Sequence, residues 1–496
     1  MNLISQIFVL AIVSIYIVSL IFIFLYSLTQ ANLVIKYLLF KKRYQLAQQP
    51  NKTFESLPFV TVQLPVYNER YVVERLIDCI VQLDYPTDKI EIQILDDSTD
   101  ETSNIISEKL IHLKNTINIK HIRRADRTDY KAGALKRGLA ISSGELIAIF
   151  DADFLPHKNF LLATVPHFID AKVGMVQTKW DWLNKTNSII TSVQAFALDA
   201  HFSIEQAGRN IQNGFINFNG TAGIWRKSCI IDAGNWKADT LTEDLDLSYR
   251  AQLKDWRFIY LEDVNSPSEL PPIMSAVKTQ QYRWNKGGAE TARKHLYNVI
   301  VSNKSLVIKW HAIMHLLTSG LFLSVFTCAF LSVPMLWVNQ HYSGFHNIFA
   351  IANYLMFGFV IIACMYLVTV SIQQKNIFKG LIIFLKTMPP FIILSMGLSL
   401  HNSIAVLEGY LGRKTPFVRT PKFNIIDAQS KWLTNNYIKK EINPIIYAEA
   451  GLMIYFILAI FLAFYVNDFK FIVFHLMLAV GYGAVVYFTL FDKKNY

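Results

Sequence analysis

The stretch Glu145-Leu-Ile-Ala-Ile-Phe-Asp-Ala-Asp-Phe-Leu-Pro156 decides how this chain is read. Its first half is a short apolar run of the kind a buried strand uses, and it stops at Asp151 and Asp153. In an open α/β sheet, ligands bind outside the carboxyl ends of the strands. Two carboxylates one residue apart at such a place offer hard oxygen ligands to Mg²⁺ or Mn²⁺, and a cation held there can also hold a diphosphate. The same Asp-x-Asp suits a turn that caps the next helix, so the pair alone leaves both readings open.

Upstream, Phe59 to Leu64 and Ile90 to Leu95 read as two more strands. The first runs into Pro65-Val-Tyr-Asn-Glu69 and the second into Asp96-Asp97-Ser98. An Asp at a strand end can accept hydrogen bonds from a nucleoside, and Asp97 or Ser98 can equally cap a helix. Arg123, Arg124, Arg127 and Lys131 gather before the helical stretch that opens at Ala132. Cations beside a helix N-terminus suit a diphosphate, although a solvated basic face has the same composition. Downstream, Phe218-Asn-Gly-Thr-Ala-Gly223 has the small residues of a close approach to a flat ligand, or of a plain turn. Thr242-Glu-Asp244 opens an amphipathic stretch, where Thr242 can cap a helix and a carboxylate can reach the cleft as a general base. Gln280-Gln-Tyr-Arg-Trp284 carries a cation suited to a diphosphate and a Trp that can stack on a sugar or anchor at a bilayer interface.

The whole chain of 496 residues is 52% hydrophobic, too apolar for an ordinary soluble protein. Met1 to Ile35 has no charged residue, exceeds the roughly 20 residues of a spanning helix and lacks the basic start of a signal peptide; it reads as a retained anchor. Lys36, Lys41, Lys42 and Arg43 follow, which places the next segment in the cytoplasm. Trp310 to Gln374 is again uncharged, with a polar break at 339–347, and reads as a hairpin; Ala450 to Val466 and Phe471 to Leu490 read as a second, followed by Asp492-Lys-Lys. Between them, Phe378 to Leu407 is apolar but interrupted by Lys386 and Pro389-Pro390. With cytoplasmic flanks on both sides it is expected to lie in the interface or re-enter. Cys79, Cys229, Cys328 and Cys364 show neither a disulfide framework nor zinc spacing. The formal charge of +11 follows from the basic cytoplasmic flanks, and no basic repeat or RNA-binding motif argues for a nucleic-acid partner.

Taken together, Asp96-Asp97, Asp151-Ala-Asp153, Thr242-Glu-Asp244 and Gln280-x-x-Arg283-Trp284 resemble the D, D, D, Q-x-x-R-W signature of processive family 2 glycosyltransferases. Phrases such as Tyr130-Lys-Ala-Gly-Ala-Leu135 and Phe218-Asn-Gly-Thr-Ala-Gly-Ile-Trp-Arg226 look most like plant cellulose-synthase-like mannan and glucan-backbone synthases and their bacterial relatives. The resemblance implies an α/β GT-A-type, Rossmann-like catalytic domain on the cytoplasmic side, inserted between transmembrane α-helices. The expected division is an anchor at 1–35, the catalytic domain at 36–300, a hairpin at 305–375, an interfacial or re-entrant segment with a gating-like loop at 376–445, and a C-terminal hairpin at 446–491.

Residue by residue, the resemblance implies that Asp244 is the base. Pro65, Tyr67, Glu69, Asp96, Asp97, Lys131, Asp151 and Arg283 would bind the nucleotide sugar, with Asp151 and Asp153 holding Mg²⁺ or Mn²⁺. Phe218, Asn219, Gly220, Thr221, Glu243, Gln280 and Trp284 would meet the acceptor. Phe417-Val-Arg-Thr-Pro-Lys422 is similar to the gating loop of cellulose synthases, with the Val one place earlier, and offers Phe417, Thr420 and Lys422. The implied partners are UDP-glucose or GDP-mannose, a growing β-linked glycan and the lipid bilayer. The implied setting is a multi-pass protein of a bacterial inner membrane, or of the Golgi if the source is eukaryotic. A diphosphate leaving group neutralised by a cation needs no protonation, so one base on the acceptor hydroxyl suffices and the reaction inverts. The nearest competing expectation is an enzyme that adds a single sugar to a lipid, as ceramide glucosyltransferase-like relatives do. A catalytically dead scaffold or a transporter is disfavoured by intact carboxylates and by clear spans without a charged residue.

Overall fold

A computed structural model describes residues 3–48, 54–113, 117–342, 351–352, 354–425 and 443–491. Its centre is a sheet of seven strands in the order β3-β2-β1-β4-β6-β5-β7. The strands are β1 (Val60–Val66), β2 (Ile90–Asp96), β3 (Ile119–Arg123), β4 (Leu146–Ile149), β5 (Val173–Trp182), β6 (Gly223–Arg226) and β7 (Arg257–Ser268). β1, β2 and β4 are buried along nearly their whole lengths, as their unbroken apolar runs require in a sheet covered on both faces. Pro65 is tolerated in the central β1 because the ladder to β4 ends at Gln63, leaving that side of the strand unpaired.

β1 pairs in parallel with β2 and β4, so their carboxyl ends share one edge. β6 runs antiparallel between β4 and β5, with Gly223 opposite Ile149 and also opposite Gln177. This reversal brings the start of β6, and so residues 218–222, to the edge where β4 ends in Asp151. It also sends the end of β5, with Trp180 and Trp182, to the same edge. The sequence reading located β1, β2 and β4 and missed the reversed strand.

Among the described residues, six helices are long and apolar enough to cross a membrane, and the chain is a multi-pass membrane protein. The first, Leu3–Gln48, does not stop at the expected residue 35. Its last turns lie against β7, where Tyr37 donates to Glu262 at 2.7 Å and Lys41 pairs with the same carboxylate at 3.0 Å. Trp310 falls in a separate short helix, Leu306–Leu316, before the spans Gly320–His341 and Phe357–Gln374. Of the expected polar break at 339–347, residues 339–341 still belong to the helix Gly320–His341, while 343–347 and the tail 492–494 lie outside the described residues. The C-terminal pair is Ile445–Tyr465 and Ile472–Phe491; the first helix starts before the expected Ala450 and so takes in Glu449.

The segment expected in the interface is two helices, Ile377–Gly397 and Ser399–Leu411, and the first continues through Pro389-Pro390. Phe391 packs on Phe196 and Tyr366, while Leu394 and Leu398 join Ile190, Val193, Met274 and Val277. The neighbours at 190–196 and 274–277 come from the α/β domain, so this segment joins that domain to the membrane bundle.

Candidate active site

The edge shared by β1, β2, β4, β5 and the start of β6 opens into a cavity of about 180 Å³. Pro65, Tyr67, Glu69, Asp97, Lys131, Asp151, Asp153, Asn219, Gly220, Glu243, Asp244, Gln280, Arg283, Trp284, Phe417, Thr420 and Lys422 all line it. Residues separated by up to 357 positions in sequence thus meet in one cleft.

Three expected residues do not reach the cavity. Asp96 is 1% exposed and turns inward, accepting from Ser98 N at 2.8 Å and Ser103 Oγ at 2.5 Å, with His121 Nε2 at 2.9 Å. Alternation along β2 sends it beneath the sheet edge, so it fixes the turn that carries Asp97. Phe218 is fully buried against Trp225 and Trp236. Thr221 is buried too, and its Oγ1 accepts from Asp151 N at 2.9 Å, which holds the Asp-x-Asp turn in place. Thr242 makes no capping hydrogen bond; its hydroxyl lies 3.2 Å from Thr291 Oγ1.

Asp97 is gripped by the fork of Arg124, with contacts of 2.9 and 2.5 Å. Arg127 stacks on Tyr67 with its guanidinium carbon 3.3 Å from the ring centre. In the middle, Lys131 Nζ contacts Asp151 at 2.6 Å, Gly220 O at 2.9 Å and Glu243 at 3.9 Å. Burial pulls the Lys131 ammonium down, but Asp151 and Glu243 outweigh it and leave its pKa raised. Burial, then the adjacent Glu243 carboxylate, pushes Asp244 up to about 7 against the pull of Lys131. Gly220 adopts φ of +80°, and a Cβ there would stand 2.9 Å from Asp244 Oδ2, so the Asp244 carboxylate leaves no room for a side chain at this position.

The segment after Gly412 closes the cleft. Thr420 Oγ1 accepts from Arg283 Nη2 at 2.9 Å, Phe417 lies over Tyr130 at 5.6 Å, and Lys422 pairs with Asp153 at 2.7 Å. Arg419, which the sequence reading passed over, pairs with Glu69 at 3.0 Å and donates to Tyr67 O at 3.1 Å. Burial pushes Glu69 up to about 8 despite Arg419 and Lys422. Trp180, Trp182 and Glu269 also line the cavity and were missed. A lone cation in a loop has no periodicity, and a Trp in a strand reads as core.

One helix, Met274–Val301, serves several parts of the molecule. Lys278 makes a buried 2.7 Å pair with Glu449 of the membrane helix Ile445–Tyr465. Arg283 reaches Thr420, Lys286 reaches Thr415 at 2.8 Å, Glu290 accepts from Leu241 N at 2.8 Å, and His295 Nε2 meets Asp246 at 2.7 Å. Gln280 and Trp284 border both the cleft and a second cavity of about 720 Å³, and Leu198 is the third residue shared by the two. The second cavity lies among the membrane helices and is lined mostly by apolar side chains, including Ile23, Phe322, Tyr366 and Phe391.

The donor set at Asp151 and Asp153 suits a hard divalent cation that is held by one or two carboxylates and completes its shell with water and phosphate oxygens. No group of three or more His, Cys, Asp or Glu suited to a metal occurs among the described residues. An all-protein cage is therefore not what these residues build.

Residues 58–287 match the family model described as glycosyltransferase like family 2. A probable glucomannan 4-beta-mannosyltransferase 4 from Oryza sativa subsp. japonica is 42% identical over 273 residues, covering 54% of this chain and 49% of that protein. Glucomannan 4-beta-mannosyltransferase 1 from Cyamopsis tetragonoloba is 37% identical over 290 residues, 56% of this chain and 55% of the relative. The chain thus spans about half the length of the curated relatives it matches. A mannosyltransferase from Pyrobaculum calidifontis, solved in complex with GDP-Man and Mn²⁺, superposes with a TM-score of 0.50 at 18% identity, covering 79% of this chain and all of the other. That likeness speaks for the fold.

Proposed function

We propose that this chain, a glycosyltransferase whose catalytic part is a family 2 domain at residues 58–287, polymerises a β-1,4-linked mannan-type glycan from GDP-mannose and passes it into the membrane bundle. The observation that carries the reading is that Leu198, Gln280 and Trp284 line both the cleft and the large cavity among the spans, so the two lie back to back across the same three side chains. GDP-mannose is preferred to UDP-glucose as donor because the similar plant proteins are named mannosyltransferases and the similar archaeal structure holds GDP-Man.

The acceptor hydroxyl oxygen attacks the anomeric carbon as the bond from that carbon to the diphosphate breaks and its electron pair leaves with the phosphate. The proton goes to Asp244, whose raised pKa suits a base working near neutral pH. Arg283 and Lys131 meet the diphosphate, and Asp97 and Tyr67 the nucleoside. Asp151 and Asp153 would hold a divalent cation, which supplies neutralisation of the leaving charge. Single displacement gives inversion. On this reading the α/β domain is cytoplasmic, and Ile377–Leu411, whose first helix is one of the six long apolar helices, packs against that domain at the inner face of the bundle.

A second reading draws on the apolar lining of the large cavity, which also suits an acyl chain: a single sugar added to a lipid. The test is to incubate membranes with labelled GDP-mannose or UDP-glucose, with and without EDTA, and to digest the product with linkage-specific mannanases and glucanases. A mannanase-sensitive polymer formed from GDP-mannose, abolished by EDTA and restored by Mg²⁺ or Mn²⁺, is expected. A lipid carrying one sugar sinks the polymer reading, and full activity in EDTA sinks the metal assignment.

A further inference from the structure

The helix Ile189–Ala200 runs without a break into a π-helical turn, His201–Gln206, and on into Ala207–Ile211. A π-turn lengthens the helical hydrogen bond by one residue, is rare, and is frequently found at functional sites. Here it brings His201 and Glu205 to the wall of the large cavity and His201 to the back of Asn219, which lines the cleft.

Proton positions in this network follow from its partners. Gln206 Nε2 donates to Asn217 O at 2.9 Å, and Gln206 Oε1 accepts from Arg209 Nη2 at 3.2 Å, so the orientation of this amide is fixed. Its Nε2 also donates to Asn219 Oδ1 at 2.8 Å, which turns Asn219 Nδ2 toward His201 Nε2 at 3.3 Å. An amide nitrogen can only donate, so His201 Nε2 accepts and the ring proton sits on Nδ1, facing Glu205 Oε2 at 2.9 Å. Burial pushes the Glu205 carboxyl up, but the hydrogen bonds from His201 and Tyr26 and the charge of Arg209 pull it down. Tyr26 of the first membrane helix donates to Glu205 Oε1 at 3.1 Å, tying the network to the bundle. Asn219 Nδ2 retains a second hydrogen with no partner among the described residues, one residue from Gly220 and its contact with Asp244.

We propose that His201 and Glu205 are positioning residues that hold the Asn219 amide so that its remaining hydrogen meets a hydroxyl of the acceptor sugar beside Asp244. The proposal rests on the glycosyltransferase reading and adds to it the groups that place the acceptor. Such a hydrogen bond orients the acceptor and is not needed to bind or break the donor.

The experiment uses the full chain in detergent or vesicles with a soluble oligosaccharide acceptor and compares the parent with H201F, N219A, H201F/N219A and H201Q. Transfer to sugar and transfer to water are measured separately, together with nucleotide affinity as a check on the fold. His201→Phe keeps the ring and loses both polar ends, so transfer to sugar should fall by about tenfold while hydrolysis of the donor and nucleotide affinity stay within about twofold. The double variant should lose no more than N219A alone, because one hydrogen bond is removed once. His201→Gln supplies an acceptor and a donor at similar reach and should restore transfer. Equal losses of transfer and hydrolysis in H201F, multiplying losses in the double variant, or no change at all would each overturn the proposal. The parent's own product reports separately on the polymer reading.

Discussion

Asp244 and Gly220 face each other so closely that each constrains the other. Asp244→Asn preserves shape and removes the base, so the transfer rate should fall by roughly a hundredfold or more while nucleotide affinity barely moves. A rate near the parent's would put the base elsewhere. Because the free carboxyl is raised to about 7, it is protonated below that pH and cannot accept the acceptor proton. kcat/KM should therefore fall as pH is lowered through about 7, and a profile flat from pH 8 to 5 would contradict the assignment. Gly220→Ala adds strain at positive φ and a methyl against Asp244 Oδ2; at least tenfold lower transfer with unchanged nucleotide binding is expected from displacement of the base. At this scale the sequence showed which residue types matter and less well where they point. Asp96, Phe218 and Thr221 stand in the right motifs but face inward: one step along the end of β2 reverses a side chain, and the loop before β6 turns Phe218 and Thr221 into the core.

The segment from Gly412 to Phe423 crosses the cleft on the strength of its first residue. Gly412 has φ of +72° and closes the helix Ser399–Leu411 with Gly412 N on Gly409 O at 3.1 Å and Arg413 N on Glu408 O at 2.9 Å. A Cβ there would also run into Arg293. Gly412→Ala should therefore redirect the segment, detaching Phe417 from Tyr130 and Thr420 from Arg283. The readout is faster proteolysis within 413–425 and a several-fold higher KM for the donor; unchanged values in both would show that the segment finds its place without this turn. Some elements were legible for a plain reason: β1, β2 and β4 are buried on both faces and spell continuous apolar runs. β6 is four residues long and antiparallel, and nothing in Gly223-Ile-Trp-Arg226 announces its direction. The two prolines at 389 and 390 argued for a break, yet the helix passes through them, as apolar helices can when their neighbours support them.

Across the whole molecule, the α/β domain and the membrane bundle are joined by a buried charge pair. Lys278 and Glu449 stand 2.7 Å apart with side chains 9% and 0% exposed, and His401 Nε2 lies 2.9 Å from Lys278 O. Glu449→Leu alone leaves a buried ammonium without its partner and should cost roughly 3–5 kcal/mol, whereas Lys278→Met with Glu449→Leu should recover most of it. Thermal unfolding in detergent measures both; a double variant no more stable than the single would show that the pair is not the source of the loss. This joint was invisible in the sequence, since 171 residues separate its halves and Glu449 reads as the edge of a span. Five of the six long apolar helices were legible from charge-free length, because hydrocarbon tolerates so few alternatives; Ile377–Gly397, with Lys379 and Lys386 inside it, was not.

The helix Met274–Val301 sets a reading frame for the rest. At about 3.6 residues per turn, one residue inserted after Gly287 rotates everything beyond it by about 100°. Lys278, Gln280, Arg283, Trp284 and Lys286 would keep their places, while Glu290 would leave Leu241 and His295 would leave Asp246. The helix containing Asp244 would lose its outer support without a single cleft residue having changed. Substitution along this helix is thus a local event, but insertion or deletion is a global one, and its length should be far less tolerant of change than its composition.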